Sequence, residues 1–280
     1  MATITAPTTI STAPERPPTT ATAAFMALLA RDIAVLRKEF AMFLARTVMQ
    51  PLLLVFVFTY VFPKIGQSIG GARGAATFST LLVGGVIAST MIFQGVQAVA
   101  LPMVQDFGYT REIEDRVLSP MPVWAVAAEK VTAGALQVLL ASLVVFPLAA
   151  FIPATPVHLH VHWIYLITLM PLAAVMSAAL GLLVGTRVEP RQVPLIFAML
   201  VIPMTFLGAV YYPWKNLSPL PWLKTIVLIN PLVYVSEGMR MSLTTGIPHM
   251  TAVAVYLALI VCTVLFLAVG INGFKKRVLS

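Results

Sequence analysis

The sequence predicts an all-α membrane protein with six transmembrane helices, and two observations support this prediction. Hydrophobic residues make up 59% of the 280 residues and charged residues only 10%, with a mean hydropathy of +0.94. Soluble domains carry about 25% charged residues, so this chain needs a bilayer as its solvent. The charges also cluster between long uncharged windows, as expected when helices of roughly 20 residues cross the hydrocarbon core.

The uncharged windows locate the spans. We expect transmembrane helices at about residues 47–65, 76–104, 132–152, 163–186, 192–212 and 251–272. Residues 1–24 are rich in Thr, Pro and Ala and are predicted to be a disordered cytoplasmic tail, with phosphorylation or partner binding there as an alternative. Residues 25–280 then form one membrane domain.

Basic residues predict the orientation. If the N-terminus is inside, 13 Lys and Arg fall on the cytoplasmic side and 5 outside. The positive-inside rule therefore places both termini and the 106–130 connection in the cytoplasm. Residues 25–46 repeat apolar side chains at steps of three and four, which is typical of an amphipathic helix lying in the membrane interface. The alternative is a plain cytoplasmic extension of the first span.

Several kinds of catalytic motif are missing from the sequence. It contains no G-x-x-x-x-G-K-[ST] loop to cradle nucleotide phosphates, no H-E-x-x-H and no G-x-S-x-G. We therefore expect no enzyme activity, no bound cofactor and no metal in this chain. The net charge of +8 lies at span ends and not on one face, which argues against nucleic acid as a partner.

The predicted spans contain no ionisable side chain near their centres. Ion-coupled carriers and proton pumps usually need such a group at the midplane. The polar side chains at depth are neutral, and three of them are candidates for a transport pathway: Gln50, Gln94 and Gln97.

Two short motifs have weaker interpretations. His158, His160 and His162 alternate along a predicted external loop, where a metal site is conceivable but an ordinary hydrated loop is the simpler interpretation. Gly181 and Gly185 form a G-x-x-x-G motif, which predicts a close helix-packing face within one chain.

The connection at 106–130 holds five of the ten acidic residues. Residues from Thr110 can form a short helix that stops before Pro120, with an apolar ridge rimmed by charges of both signs. Such a helix suits a groove on a soluble partner, although a solvated connector is the alternative. The candidate docking residues are Arg111, Glu112, Ile113, Glu114, Asp115, Arg116, Val117, Leu118, Ser119 and Pro120.

Two stretches together resemble the type-2 ABC exporter permeases. The first is this connection, with its charged run, Leu118, Pro120 and Lys130, although Glu129 replaces the usual Gly. The second is the segment 206–240, which resembles the family's pattern of Gly, Pro, "LPWL" and "NPL-Y---E--R". Its signature positions are Gly208, Pro213, Pro221, Trp222, Asn230, Pro231, Tyr234, Glu237 and Arg240.

The resemblance implies a function and an assembly. It implies a multi-pass permease of the cell membrane, paired as a homodimer or heterodimer and contacting membrane lipids, with ATP and Mg bound by a separate ABC ATPase subunit docked on residues 111–120. Short re-entrant helices would lie between spans five and six. Glu237 and Arg240 would pair on one helical turn, for structural or functional reasons.

The expected activity is ATP-driven export or efflux of an amphipathic substrate, such as a drug-like molecule (hence antibiotic resistance), a lipid or a lipid-linked glycan. The alternatives are a secondary carrier or channel not coupled to ATP, and a membrane scaffold without transport.

Overall fold

The structure, a computed structural model, describes residues 20–67, 71–107, 121–189 and 192–279. The regular secondary structure of these residues is helical throughout, without strands, which confirms the all-α prediction. Residues 1–19 of the predicted tail and the predicted docking segment 111–120 lie outside the described residues. In chain order the helices are α1 (Ala21–Lys38), α2 (Phe40–Lys64, including a π-helical turn), α3 (Gly71–Gln105), α4 (Val123–Phe151), α5 (Trp163–Arg187), α6 (Val193–Leu207), α7 (Pro221–Ile226), α8 (Pro231–Leu243) and α9 (Ala252–Leu279).

The first two helices are separated by a single residue. Helix α1 begins at Ala21, where the Thr20 hydroxyl accepts a hydrogen bond from the Ala23 N–H at 3.3 Å. This is the N-cap arrangement that satisfies a free backbone donor. Glu39 leaves helical geometry, and α2 begins at Phe40. A separate helix therefore precedes the first span, and its location in the membrane interface stays a prediction.

Helix α3 is the centre of the bundle. It packs against α4, α5 and α8, and its apolar stretch is 78% buried, compared with 22% for α2 and 17% for α9. The hydrophobic core lies along α3, with buried side chains contributed by all of these partners. Helices α2 and α9 therefore present most of their apolar surface to the outside of the chain.

Glycines bring α3 and α5 unusually close. A Cβ atom added at Gly181 would lie 2.4 Å from the Gly95 carbonyl oxygen, and one at Gly185 would lie 2.9 Å from the Ala100 Cα. No larger residue fits these positions without a shift of the backbone. The G-x-x-x-G motif thus packs within one chain, which confirms that prediction.

Five helices among the described residues are long and apolar enough to cross a membrane: α2, α3, α4, α5 and α9. They correspond to five of the six predicted spans. The segment predicted at 192–212 forms α6, which has 15 residues and ends at Leu207 before Gly208. At 1.5 Å per residue α6 is about 22 Å long, which is short of the roughly 30 Å hydrocarbon core.

Short helices follow α6. A 3-10 turn at Trp214–Leu217, α7, a second turn at Val227–Ile229 and α8 lead to the last long helix. Proline stands at the first or second position of both α7 and α8, where its missing N–H costs nothing. We call residues 208–250 the cap segment.

Candidate functional site

A buried ion pair lies at the centre of the cap segment. Glu237 and Arg240 are both fully buried, and the Arg240 Nη1 donates to the Glu237 Oε1 at 2.8 Å. The Arg240 Nη2 also donates to the carbonyl oxygens of Ala209 and Val210, the latter at 3.2 Å. Burial lowers the pKa of the Arg240 guanidinium from its ordinary value, whereas Glu237 raises it. The pairing on one helical turn that the spacing predicted is present.

The Glu237 carboxylate joins segments that are distant in the chain. Its Oε1 accepts a hydrogen bond from the Trp214 N–H at 2.9 Å, and its Oε2 accepts one from the Met250 N–H at 2.7 Å. Hydrogen bonds to an ionised group are among the stronger ones in proteins. One side chain therefore connects α8 to the 3-10 turn after α6 and to the residues just before α9.

The backbone turn after Gly208 places carbonyl oxygens within hydrogen-bonding distance of Arg240. A Cβ on Gly208 would lie 2.6 Å from the Met204 carbonyl oxygen as well as 2.4 Å from the Leu232 Cδ2, so a larger residue requires the backbone to shift. The left-handed residue is the next one, Ala209, with φ 53°. Left-handed geometry is unfavourable for alanine by roughly 1–2 kcal/mol. The Ala209 carbonyl accepts a hydrogen bond from Arg240, and this contact holds the turn in place.

The remaining signature residues fix the ends of the short helices. Asn230 caps α8 by accepting from the Leu232 N–H at 3.0 Å, and its amide donates to the Met204 carbonyl in α6 at 2.8 Å. The Tyr234 hydroxyl donates to the Leu228 carbonyl at 2.8 Å. Pro231 occupies the start of α8. These contacts make the cap segment a connected unit.

Three signature residues lie at the start of the cap segment. Pro213 is buried before the 3-10 turn, and Pro221 begins α7. Trp222 is 63% exposed. Trp214, which the sequence did not single out, packs its ring under the Lys224 Nζ at 4.5 Å and donates its indole N–H to the Lys224 carbonyl at 3.0 Å.

The three glutamine candidates line two adjoining cavities beside α3. Gln50 and Gln94 line a small pocket of about 20 Å³, together with Thr47, whose hydroxyl donates to the Gln94 Oε1 at 3.3 Å. Gln97, one turn further along α3, lines a groove of about 530 Å³ between α1, α2, α3 and α4. Arg46 lines both cavities. The structure thus brings the three glutamines to one side of α3.

The predicted docking segment lies outside the described residues, but both of its flanks are described. α3 ends at Gln105 and α4 begins at Val123. Lys130 in α4 forms an ion pair at 2.7 Å with Asp32 in α1, and the side chains are only 7% and 14% exposed. The sequence did not suggest this pair, because 98 residues separate the partners and many charges surround both.

The histidine loop is anchored through its backbone. The His160 N–H donates to the Leu243 carbonyl at 3.0 Å, and the His162 N–H donates to the Ser242 carbonyl at 2.8 Å. The rings of His160 and His162 lie with their centroids 4.8 Å apart and are tilted by 51° to each other. Within the part of the chain that the structure describes, no group of three His, Cys, Asp or Glu is placed to hold a metal ion.

Comparison with known proteins decides the family. Residues 23–244 match the family described as ABC-2 type transporter. The chain belongs to this family. It is also 27% identical over 225 residues to proteins named inner membrane transport permease YadH, from Escherichia coli strain K12, Escherichia coli O157:H7 and Shigella flexneri. The match covers 79% of this chain and 84% of each relative.

Membership of the ABC-2 family has direct consequences. This chain is the membrane subunit of an ABC transporter, a multi-pass protein of the cytoplasmic membrane. The family lacks an ATPase domain of its own and implies an ABC ATPase partner. The match also confirms the resemblance found in the sequence, and both stretches that carried it lie within the matched residues.

Proposed function

We propose that this ABC-2 chain is the permease of an ATP-driven exporter that moves an amphipathic substrate out of the cytoplasm or the inner leaflet. The observation that carries the proposal is the groove of about 530 Å³ between α1, α2, α3 and α4. Its lining combines amide side chains, such as Gln97 and Gln137, with apolar ones, such as Phe43 and Leu101. A mixed lining of this kind suits a cargo with a polar and an apolar end.

The proposed topology has six spans with both termini in the cytoplasm. Five long helices supply five of them, and α6, extended by the turn that follows it, supplies the sixth. Short apolar helices with an exposed Trp222 suit the outer membrane interface, where tryptophan is enriched. The cap segment would then close the pathway on the outside, with its non-helical backbone buried in protein.

Two permease chains, identical or different, would enclose the pathway. Helices α2 and α9 expose most of their apolar surface, so both are free to contact a second permease or lipid. No nucleotide is bound by this chain in the proposal, because ATP and Mg belong to the ATPase subunit. The ATPase would dock on residues 111–120.

The test is co-purification with the cognate ABC ATPase, combined with a transport assay. Exchanging Glu114 and Asp115 for lysine reverses two charges in the docking segment. Losing a partly desolvated charge contact costs roughly 2–5 kcal/mol of binding, a factor of about 30 or more. We expect ATPase capture and export to fall together, with normal membrane insertion.

The matched control exchanges Lys64 and Lys215 for glutamate. Both side chains are exposed, and both lie on the side proposed to face out. This control should leave ATPase capture unchanged. If the docking variant still captures the ATPase fully and exports fully, residues 111–120 only connect two helices. Export that requires no ATPase would instead favour a secondary carrier.

A further inference from the structure

Arg46 stands out among the basic residues at the cytoplasmic ends of helices. It lies inside α2, beyond the first turn, and it lines both cavities beside α3. It has no hydrogen-bond or ion-pair partner among the described residues. Ordinary orientation signals need only lie near the membrane surface, whereas Arg46, although its side chain is exposed, lines two cavities between helices.

A second unpaired donor is directed into the same small pocket. Gln94 is 2% exposed, and its Nε2 has no partner among the described residues. Its Oε1 already accepts a hydrogen bond from the Thr47 hydroxyl, which leaves the Nε2 to point elsewhere. A buried amide donor without an acceptor destabilises the fold unless a ligand or water supplies the acceptor.

The small pocket favours an anion electrostatically. Arg46 is the only charged residue that lines it among those described, and its other polar residues are Thr47, Gln50, Ser89, Thr90 and Gln94. The larger groove is balanced, since Arg31, Arg46 and Lys130 face Asp32, Glu39 and Asp106. Of these two cavities, only the small pocket has a lining with a net positive formal charge.

An apolar cleft continues from the groove towards lipid. This side cleft of about 240 Å³ lies between α1 and α4. It shares four residues with the groove: Asp32, whose carboxylate is paired with Lys130, and Leu36, Ala133 and Gln137. Its outer lining includes Leu136 and Leu140, which are 37% and 40% exposed. An alkyl chain can pass along it from the bilayer to the groove without leaving apolar surroundings.

We propose that Arg46 binds the oxyanion head group of an anionic amphiphile, such as a phosphate monoester or a carboxylate, where it lines the groove. The small pocket has room for about one water-sized group, so a single oxygen of the head group enters it to reach Gln94, while the alkyl chain lies in the side cleft. The planar guanidinium suits such oxyanions because it presents parallel N–H donors. This inference rests on the proposed function and deepens it, because it narrows the amphipathic cargo to anions.

The experiment uses the purified full chain in neutral maltoside micelles with three photoreactive probes. The probes are a phosphatidic acid, a fatty acid and a diacylglycerol, each carrying a diazirine in the alkyl chain. Labelling is mapped by mass spectrometry to peptides of α1, α2 and α4. We expect both anionic probes, or one of them, to label these peptides at least tenfold more strongly than diacylglycerol. The probe that labels decides between phosphate and carboxylate.

The variants separate recognition of the anionic charge from nonspecific hydrophobic binding of the probes. Arg46→Gln should reduce anionic labelling by about tenfold or more, and Gln94→Leu by several-fold, as expected for loss of charge-assisted hydrogen bonds. Arg46→Lys should retain most of it. Lys64→Gln removes an exposed charge at the other end of the same helix and should change nothing.

Equal labelling by diacylglycerol, or anionic labelling that survives Arg46→Gln, overturns the proposal. ATPase capture is measured on the same samples. If the chain captures its ATPase but shows no preference for oxyanions, only this inference is contradicted and the proposed function stands. A wild-type chain that captures no ATPase contradicts the proposed function itself, whatever the probes bind.

Discussion

Neutralising Glu237 should loosen the cap segment from the bundle. In Glu237→Gln the Arg240 guanidinium stays buried without its counter-ion. One of the two carboxylate oxygens that hold the N–H groups of Trp214 and Met250 is also replaced by an amide that cannot accept. Removing one partner of a buried ion pair costs about 3–5 kcal/mol. Since both side chains are fully buried, little solvent screening reduces this cost.

The effect is measured as local opening. Lys215 is exposed in the 3-10 turn held by Glu237, and trypsin cleaves after it when the turn opens. When opening is fast relative to cleavage, the rate follows the open population. A loss of about 3 kcal/mol then raises cleavage roughly 100-fold, at 1.4 kcal/mol per decade.

Two further variants test the reasoning. Glu237→Gln combined with Arg240→Met removes both charges, and replacing a whole buried pair is often close to neutral. We therefore expect the double variant to be cleaved more slowly than Glu237→Gln alone. Glu189→Gln removes an exposed acid elsewhere and should match the wild type. If Glu237→Gln is as resistant to trypsin as the wild type, the ion pair does not hold the cap segment.

Three other predictions follow from the fold and the family. In a Cys262→Ser background, an impermeant thiol reagent added to intact cells should label a cysteine at Ser68 but not one at Ser119; the reverse pattern contradicts the orientation. The purified chain should hydrolyse no ATP, and activity that co-elutes with this polypeptide after removal of contaminating ATPases would contradict the assignment. Gly181→Leu should destabilise the bundle by about 1–3 kcal/mol, because the leucine side chain would overlap the α3 backbone. The control is Leu183→Ala on the less buried face of α5, and an equal change in melting temperature for the two variants would refute this.

The long helices were predictable because their signal is local. Each uncharged window must satisfy the same length requirement, so α2, α3, α4, α5 and α9 follow from the positions of charged residues. The Glu237–Arg240 pair was predictable for a related reason, since two residues three apart share a helical face. Both inferences use only neighbours in the chain.

Other features depend on contacts between distant residues. The length of α6 was overestimated because the apolar run continues past Gly208, while the chain turns there to place the Ala209 carbonyl on Arg240. The Asp32–Lys130 pair joins two charge-rich segments, and sequence offers no means of choosing the partners. The sequence does not distinguish Arg46 from the other basic residues near span ends, because the cavity that it lines arises from the packing of α2 against α3.

Helix α3 is long enough to connect the cap segment to the proposed docking segment. Its last residue, Gln105, lies six residues before the proposed docking residues 111–120. Near its other end, Gly84 packs against Arg240, and a Cβ added to Gly84 would lie 3.1 Å from the Arg240 backbone nitrogen. The 21 residues between them span about 32 Å of continuous helix. A tilt of about 5° pivoting at one end moves the other by roughly 3 Å, which is enough to separate hydrogen-bonded atoms. In the proposed exporter, α3 would thus convert a small rotation at its docking end into a displacement as large as the hydrogen-bond distances in the cap segment.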